Sequence, residues 1–336
     1  MDATDSAGSK NRDIFHGFDS CTLKLRKANS TKVDIGSFIP NSSKTETPEM
    51  DASLPSRPSN MTQALRFALN RISAASMPLT AFAAMAKRLG AQAIEIRIDL
   101  PGAELLDGTP AREIAAAALT HGLTVRSLNA LQRFEQYDAA RALEAAALVR
   151  YAVESGTQAL VLCPTNSSKD DRSADQRHAD LVSALRQLQP LLADNRLTGL
   201  LEPLGFEECA MRRKSQAVRA IREVGGGTFA LVHDTFHHHL AGESLFFPEM
   251  TGLVHISGVE DGALDVAQMR DAHRVLVGPA DRLDNATQLR TLLAAGYAGY
   301  ISFEPFADQI ATAPDIEQRL SASMAYVSAA VAESGA

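Results

Sequence analysis

Eight short apolar runs alternate with helix-period segments from residue 61 to the end of the chain, and few folds accept such a pattern. The runs are "LRFAL" (65–69), "AIEIRI" (93–98), "LTVRSL" (123–128), "ALVLC" (159–163), "LTGLLE" (197–202), "FALVHD" (229–234), "LVHIS" (253–257) and "YISFE" (300–304). Helical periodicity covers 78–89, 110–121, 137–155, 171–194, 213–224, 284–295 and 313–333. The connection after the sixth run is the weakest, since only "HHHLAG" can form a helix there. Gly90, Gly122, Gly156 and Gly296 each separate a helical segment from the next strand, as helix-ending glycines do. Strands that alternate with helices pair in parallel. Residues 61–336 are close to the ~250 typical of a (β/α)8 TIM barrel. An open doubly wound sheet competes, but its usual Gly-rich phosphate loop is missing after the first strand. "VGGGTF" (224–229) precedes a strand and ends a helix.

Residues 1–60 break the pattern. "NSSKTETPEMDASLPSRPSN" (41–60) is rich in Ser, Thr, Asn, Pro and charge, with little to bury. The domain reading is therefore a disordered N-terminal extension over 1–60 and a barrel over 61–336. "VDIGSFIP" (33–40) is the extension's one candidate docking segment, and Met61 is a candidate alternative start. No secretory signal and no membrane-length apolar run is expected. A net charge of −7 with no basic block disfavours a nucleic-acid partner. Cys21, Cys163 and Cys209 are odd in number and far apart, which suits reduced thiols of a cytoplasmic protein. Cys163 is expected to be buried, and neither Cys163 nor Cys209 to lie at a strand-end ligand position. A homo-oligomer is compatible with the sequence.

In a barrel of this kind the catalytic side chains collect at the C-terminal ends of the strands. Four successive strands end in or carry a hard ligand there: Glu202 in "LLEPLGF", Asp234 in "LVHDTF", His255 in "LVHISG" and Glu304 in "ISFEPF". Neighbouring strands lie ~4.8 Å apart, so all four can reach one ion. Three carboxylates at that spacing repel, and they either take up protons or gather a cation. An oxygen-rich shell with one imidazole fits Mn2+ first, then Zn2+, Co2+ or Mg2+. Alternation along the sixth strand sends Asp234, Val232 and Ala230 inward, and His233 and Leu231 toward the helices. His233 is then a packed histidine. In "HDTFHHHL" (233–240), His237 lies one turn beyond Asp234 and can lean over the same site to meet a substrate oxygen. His238 is expected to be solvated.

These residues carry a family resemblance. From about 64 to 330 the chain resembles the xylose isomerase-like TIM barrels of the sugar isomerase and epimerase superfamily, and within it the 2-keto-myo-inositol (inosose) isomerases. The resemblance rests on "IEIR" (94–97), "LNAL" (128–131), "LEPLGF" (201–206), "DTFHHHLAG" (234–242), "VHISGVED" (254–261), "HRVLVGPADRLD" (273–284) and "ISFEPF" (301–306). It implies one divalent metal on Glu202, Asp234, His255 and Glu304, with His237 and Arg274 as substrate contacts. It also implies Glu208 as a substrate-binding glutamate of the kind found in ketose 3-epimerases. Asn129 and Arg97, on the loops after the third and second strands, are expected to meet substrate hydroxyls. "GPADRLD" lacks the second glycine of the family's usual G-x-G turn.

The resemblance implies an α-hydroxyketone substrate, a polyhydroxy ketone from carbohydrate or inositol catabolism. Metal coordination of its carbonyl and adjacent hydroxyl stabilises an enediolate. Glu202 or Glu304 removes the α-proton, and a proton is returned to the neighbouring carbon or to the opposite face. Ketose 3-epimerase, hydroxypyruvate isomerase and inosose dehydratase are the nearest alternatives. An apurinic endonuclease-type phosphodiesterase would need histidines after strands two to four, where "RIDLPG", "SLNA" and "LCPTN" have none. A noncatalytic sugar-binding relative would not need the full ligand set.

Deletion of residues 1–60 is expected to leave a folded, active barrel, because the segment offers little apolar area to offset its ordering entropy. Circular dichroism and turnover of the shortened chain check this, and loss of soluble protein would show that 33–40 packs on the barrel.

Overall fold

The computed structural model describes residues 64–100, 105 and 108–333, so the extension and its 33–40 segment lie outside the described residues. Eight parallel strands close into a barrel in chain order: β1 (Phe67–Asn70), β2 (Ala93–Arg97), β3 (Thr124–Gln132), β4 (Ala159–Cys163), β5 (Thr198–Leu201), β6 (Phe229–Asp234), β7 (Thr251–Ile256) and β8 (Ile301–Phe303). Pairing of Phe67 with Ile301 joins the last strand to the first. The helices are α1 (Leu79–Arg88), α2 (Ala111–His121), α3 (Ala139–Ser155), α4 (Ala174–Asp194), α5 (Lys214–Val224), α6 (Thr235–Ala241), α7 (Asn285–Ala294), α8 (Asp308–Ala311) and α9 (Ile316–Ala332). The expected barrel is the observed one. No helix among the described residues is long and apolar enough to cross a membrane.

Local chemistry sets the boundaries. Asp138 and Ser173 cap α3 and α4 through their side-chain oxygens. Gly122 and Gly156 end α2 and α3 in the left-handed region, with φ of 64° and 70°, where a side chain is strained. Two boundaries differ from the sequence reading. β3 runs on to Gln132, so Asn129 lies within a strand, and Arg97 is the last residue of β2; neither is on a loop. A separate short helix, α8, precedes α9.

The period of two divides the core into shells. Leu160, Leu162, Leu231, Val254 and Ile256 pack outward against helix residues such as Leu148, Leu185 and Leu289. Val161, Cys163, Leu200, Val232 and Leu253 form a small apolar cluster of their own, in the alternate strand positions that face the barrel interior. The end of the barrel that carries the strand C-termini is covered by a third cluster, which includes Phe206, Phe236, Leu240 and Met269.

β6 is fastened from outside by a polar chain. The Gln288 amide donates to the carbonyls of Thr235 (3.1 Å) and Leu283 (2.7 Å), which leaves its oxygen to accept from His233 Nε2 at 2.9 Å. His233 Nδ1 then accepts from Lys214 Nζ at 2.7 Å. Burial drives the Lys214 amine down to about 7 and holds His233 well below the usual imidazole value. His233 is the packed residue that alternation predicts. His238 is half-buried rather than solvated: its ring lies 4.8 Å from His233 and 4.6 Å from Phe246. The reason is that α6 begins at Thr235, earlier than the histidine run, and turns residue 238 back against the barrel wall.

Gly205 holds α6 close to the loop after β5. A Cβ there would sit 2.2 Å from the His237 carbonyl oxygen and 2.8 Å from Leu240 Cβ. Gly205→Ala is expected to push α6 outward at about 1–3 kcal/mol, which lowers Tm by roughly 2–10 °C for a domain of this size. Thermal denaturation measures it; an unchanged Tm would mean that α6 does not press on this loop.

Candidate metal centre and substrate cavity

Parallel register brings the strand-end donors to one level. Asp234 on β6 is the direct partner of His255 on β7, which in turn pairs with Ser302, two residues before Glu304. Glu202 and Glu304 stand one residue beyond β5 and β8, and their amides continue the ladder to the carbonyls of Leu162 (3.1 Å) and Ile256 (2.9 Å). Each of the four side chains offers a ligand atom, and those atoms lie within 4.8 Å of one another. All four residues are buried, between 0% and 5% exposed, so their charges feel little of the solvent.

Asp234 is divided between two tasks. Its Oδ1 caps α6, accepting from the amides of Phe236 (2.8 Å) and His237 (3.0 Å). Its Oδ2 faces the site and accepts from Arg274 Nη2 at 2.6 Å. His255 Nδ1 lies 2.9 Å from Glu202 Oε1 and 3.2 Å from Glu304 Oε2. Burial works against a charged His255, but Glu304, Glu95 and Glu202 outweigh it and hold the imidazole well above its ordinary pKa. Glu304 is the most heavily engaged carboxylate. Its Oε1 accepts from Arg97 (2.8 Å) and Asn70 (3.2 Å), and its Oε2 accepts from Arg274 (3.0 Å). Burial opposes its ionisation, yet His255, Arg274 and Arg97 keep it below the usual carboxylate range.

Both arginines are buried, and each is held by two or more carboxylates. Arg97 also forks onto Asp99 at 2.6 and 2.8 Å, and Arg274 reaches Ser257 (2.9 Å) and Asp271 (3.2 Å). The Phe306 ring lies under both guanidinium groups, 5.0 Å from Arg97 and 4.6 Å from Arg274. Burial disfavours their charge, but Asp99 and Glu304 around Arg97, and Asp234 and Glu304 around Arg274, leave both firmly cationic.

The donor set fits a divalent cation. Three carboxylates and an imidazole whose Nδ1 points at two of them are hard, anionic and convergent. The set has enough negative charge to draw a raised-pKa imidazole and two arginines around it, and a divalent ion meets the same demand. Above it opens a cavity of about 540 Å3, which Arg97, Asn129, Glu202, His237, Arg274 and Glu304 all line. His237 is 4% exposed, its ring set edge-on between Phe206 (5.3 Å) and Phe236 (5.2 Å). Its Nδ1 has no hydrogen-bond partner among the described residues. The Asn129 amide is turned inward, onto Ser127 Oγ (2.7 Å) and Glu95 Oε2 (3.2 Å). Glu208 does not join this group; it lines a different cavity with Phe206, Arg212 and Arg270.

Several neighbours of the donor cluster fall outside the sequence reading, and one, Cys163, departs from it. Cys163 ends β4, lines the cavity and donates weakly to Glu202 Oε2 at 3.4 Å, so it does stand at a strand end beside a candidate ligand. Burial, reinforced by Glu202, pushes its thiol well up, which keeps it protonated. Glu95, Asn70, Asp99 and Phe306 were passed over. Glu95 had a signal: an acidic side chain between two isoleucines of a strand, two residues before Arg97 and so on the same face.

Residues 83–329 match the sequence profile of the xylose isomerase-like TIM barrel. A xylose isomerase domain-containing protein from Salmonella typhimurium LT2 is 32% identical, with a TM-score of 0.74 over 80% of this chain and 99% of its own. The IolI protein, solved with a bound zinc atom, is 21% identical, with a TM-score of 0.70 over 80% of this chain and 99% of its own. The 3-keto-D-glucoside 4-epimerase of E. coli is 19% identical, with a TM-score of 0.61 over 78% and 98%. At that identity the last two share the fold. No curated protein matches the sequence.

Glu304→Gln is expected to weaken divalent-ion binding at least tenfold, because it removes a ligand charge and leaves Arg97 and Arg274 less balanced. Titration calorimetry with Mn2+ measures this, and an unaltered Kd would remove Glu304 from the ligand set.

Proposed function

The chain belongs to the xylose isomerase-like TIM barrel family, and from that premise we propose that it is a divalent-metal-dependent isomerase of a polyhydroxy ketone, with 2-keto-myo-inositol as the substrate. One observation carries the reading: Glu202, Asp234, His255 and Glu304 converge to within 4.8 Å, and two of them, Glu202 and Glu304, line a polar cavity together with His237 and Arg274. Mn2+ is the proposed ion, with Zn2+, Co2+ or Mg2+ able to serve the same oxygen-rich set. A divalent ion held there supplies Lewis acidity toward a carbonyl and its neighbouring hydroxyl.

The chain's own residues divide the remaining work. Glu304 accepts from Arg97, Asn70 and Arg274 and is held in its ionised form, which makes it a weak base. Glu202 meets only His255 and the Cys163 thiol among the described residues, so Glu202 is the base that takes the α-proton. The electron pair of the broken C–H bond becomes the double bond of an enediolate, and the charge passes to the carbonyl oxygen. Arg274, cationic at any working pH, faces that charge. His237, which lines the cavity, holds a substrate hydroxyl. Return of the proton to the adjacent carbon moves the ketone, and return to the opposite face inverts the centre.

The test is a set of incubations in deuterium oxide with added Mn2+, using 2-keto-myo-inositol, ketohexoses and hydroxypyruvate in turn. The expected result is an inosose isomer carrying deuterium at the carbon that receives the proton. Chelation abolishes the activity, and one divalent ion per chain restores it. Turnover of a ketohexose with none of any inosose would move the protein to the ketose epimerases. Complete retention of the substrate hydrogen over many turnovers would replace proton transfer by a hydride shift, and full activity in metal-free protein would end the metal reading.

A further inference from the structure

One carboxylate beside the donor cluster belongs neither to that cluster nor to the cavity lining. Glu95 stands in the middle of β2, wholly buried, and is not among the residues that line the cavity. It lies behind His255, on the side away from the other carboxylates. His255 Nε2 is 3.1 Å from Glu95 Oε2, while Nδ1 of the same ring faces Glu202 and Glu304. Glu95 is itself seated by two donors from β3. The hydroxyl of Ser127 and the amide of Asn129 (3.2 Å) both reach Oε2, and Asn129 also donates to Ser127 Oγ at 2.7 Å. That last bond directs the serine hydroxyl onto the carboxylate.

An imidazole has two nitrogens, and a metal site needs one of them to present a lone pair in a fixed direction. We infer that Glu95 is the positioning residue that fixes His255 for the ion: it accepts the Nε2 hydrogen and so leaves Nδ1 aimed at the ring of carboxylates. A ring flip would put carbon where nitrogen now meets Glu95 and would abandon that bond between two fully buried residues. A carboxylate behind a metal-binding histidine also raises the basicity of the nitrogen in front, and removal of such a partner typically costs about 10–100-fold in metal affinity. Ser127 and Asn129 act one step further back, as the seat that keeps Glu95 Oε2 in line with the ring. The inference rests on the metal reading proposed above.

The measurement is the Kd and visible absorption of bound Co2+, which reports the ligand field without any turnover. Glu95→Gln retains the volume of the side chain and removes its charge. It is expected to raise the Co2+ Kd by about 10–100-fold and to shift the absorption bands, while circular dichroism shows a folded barrel. Ser127→Ala leaves Glu95 charged but loosens its seat, and is expected to weaken binding in the same direction by a smaller factor. A Glu95→Gln protein with wild-type Kd and spectrum would make Glu95 a core residue with no part in the metal site. Should that variant fail to fold, Ser127→Ala decides: unchanged Kd and spectrum overturn the inference. Wild-type protein that binds no divalent ion overturns the metal reading itself, and this inference with it; binding by wild type with no effect of either variant overturns this inference alone.

Discussion

The site depends on the lateral pairing of three parallel strands. Because β6, β7 and β8 run side by side in one register, Asp234 lies opposite His255 and His255 opposite Ser302. Side chains at equal height on neighbouring strands are only ~5 Å apart. Barrel closure removes the freedom to slide, since a shift on one strand must be matched around the whole ring. Once the strands are in place, the carboxylates have no way to move apart, and the rest of the cavity answers their charge.

The answer is built from cations that the fold can hold still. Arg97 comes from the end of β2 and Arg274 from the segment after β7, and both stack on Phe306 and converge on Glu304. Each guanidinium is also tied to a carboxylate outside the ligand ring, Asp99 for Arg97 and Asp271 for Arg274. A buried ion pair of this kind adds little net stability, because desolvation consumes most of the Coulombic gain. Its value lies in orientation: a charge with several partners cannot swing away when a neighbour changes state.

The fold was legible because it rests on period and punctuation, and both are local. Gly122 and Gly156 mark the ends of α2 and α3, and the strand runs stand out as apolar segments among alanine-rich helices. The four strand-end donors were legible for the same reason, since a barrel makes the last inward residue of each strand a member of the site. What the sequence hid was tertiary. Asn129 looked like a loop residue because the length of β3 depends on its pairing with β2 and β4 rather than on composition. Cys163 looked like core because thiols usually are, and only the inward face of β4 brings it to Glu202. His238 looked wet because three histidines in a row suggest a solvent-facing turn, whereas the early start of α6 folds it onto His233 and Phe246. Glu208 fell elsewhere because the chain turns away between Phe206 and Cys209.

Asp234 has a further consequence. One oxygen holds the first turn of α6 and the other accepts from Arg274 within the donor cluster, so the carboxylate is a rigid crossbar between that cluster and the helix that carries His237. The aim of that imidazole is thereby geared to the position of a ligand oxygen three residues earlier. A change at residue 234 would therefore disturb two things at once, the cluster of convergent donors and the bearing of the helix beside it.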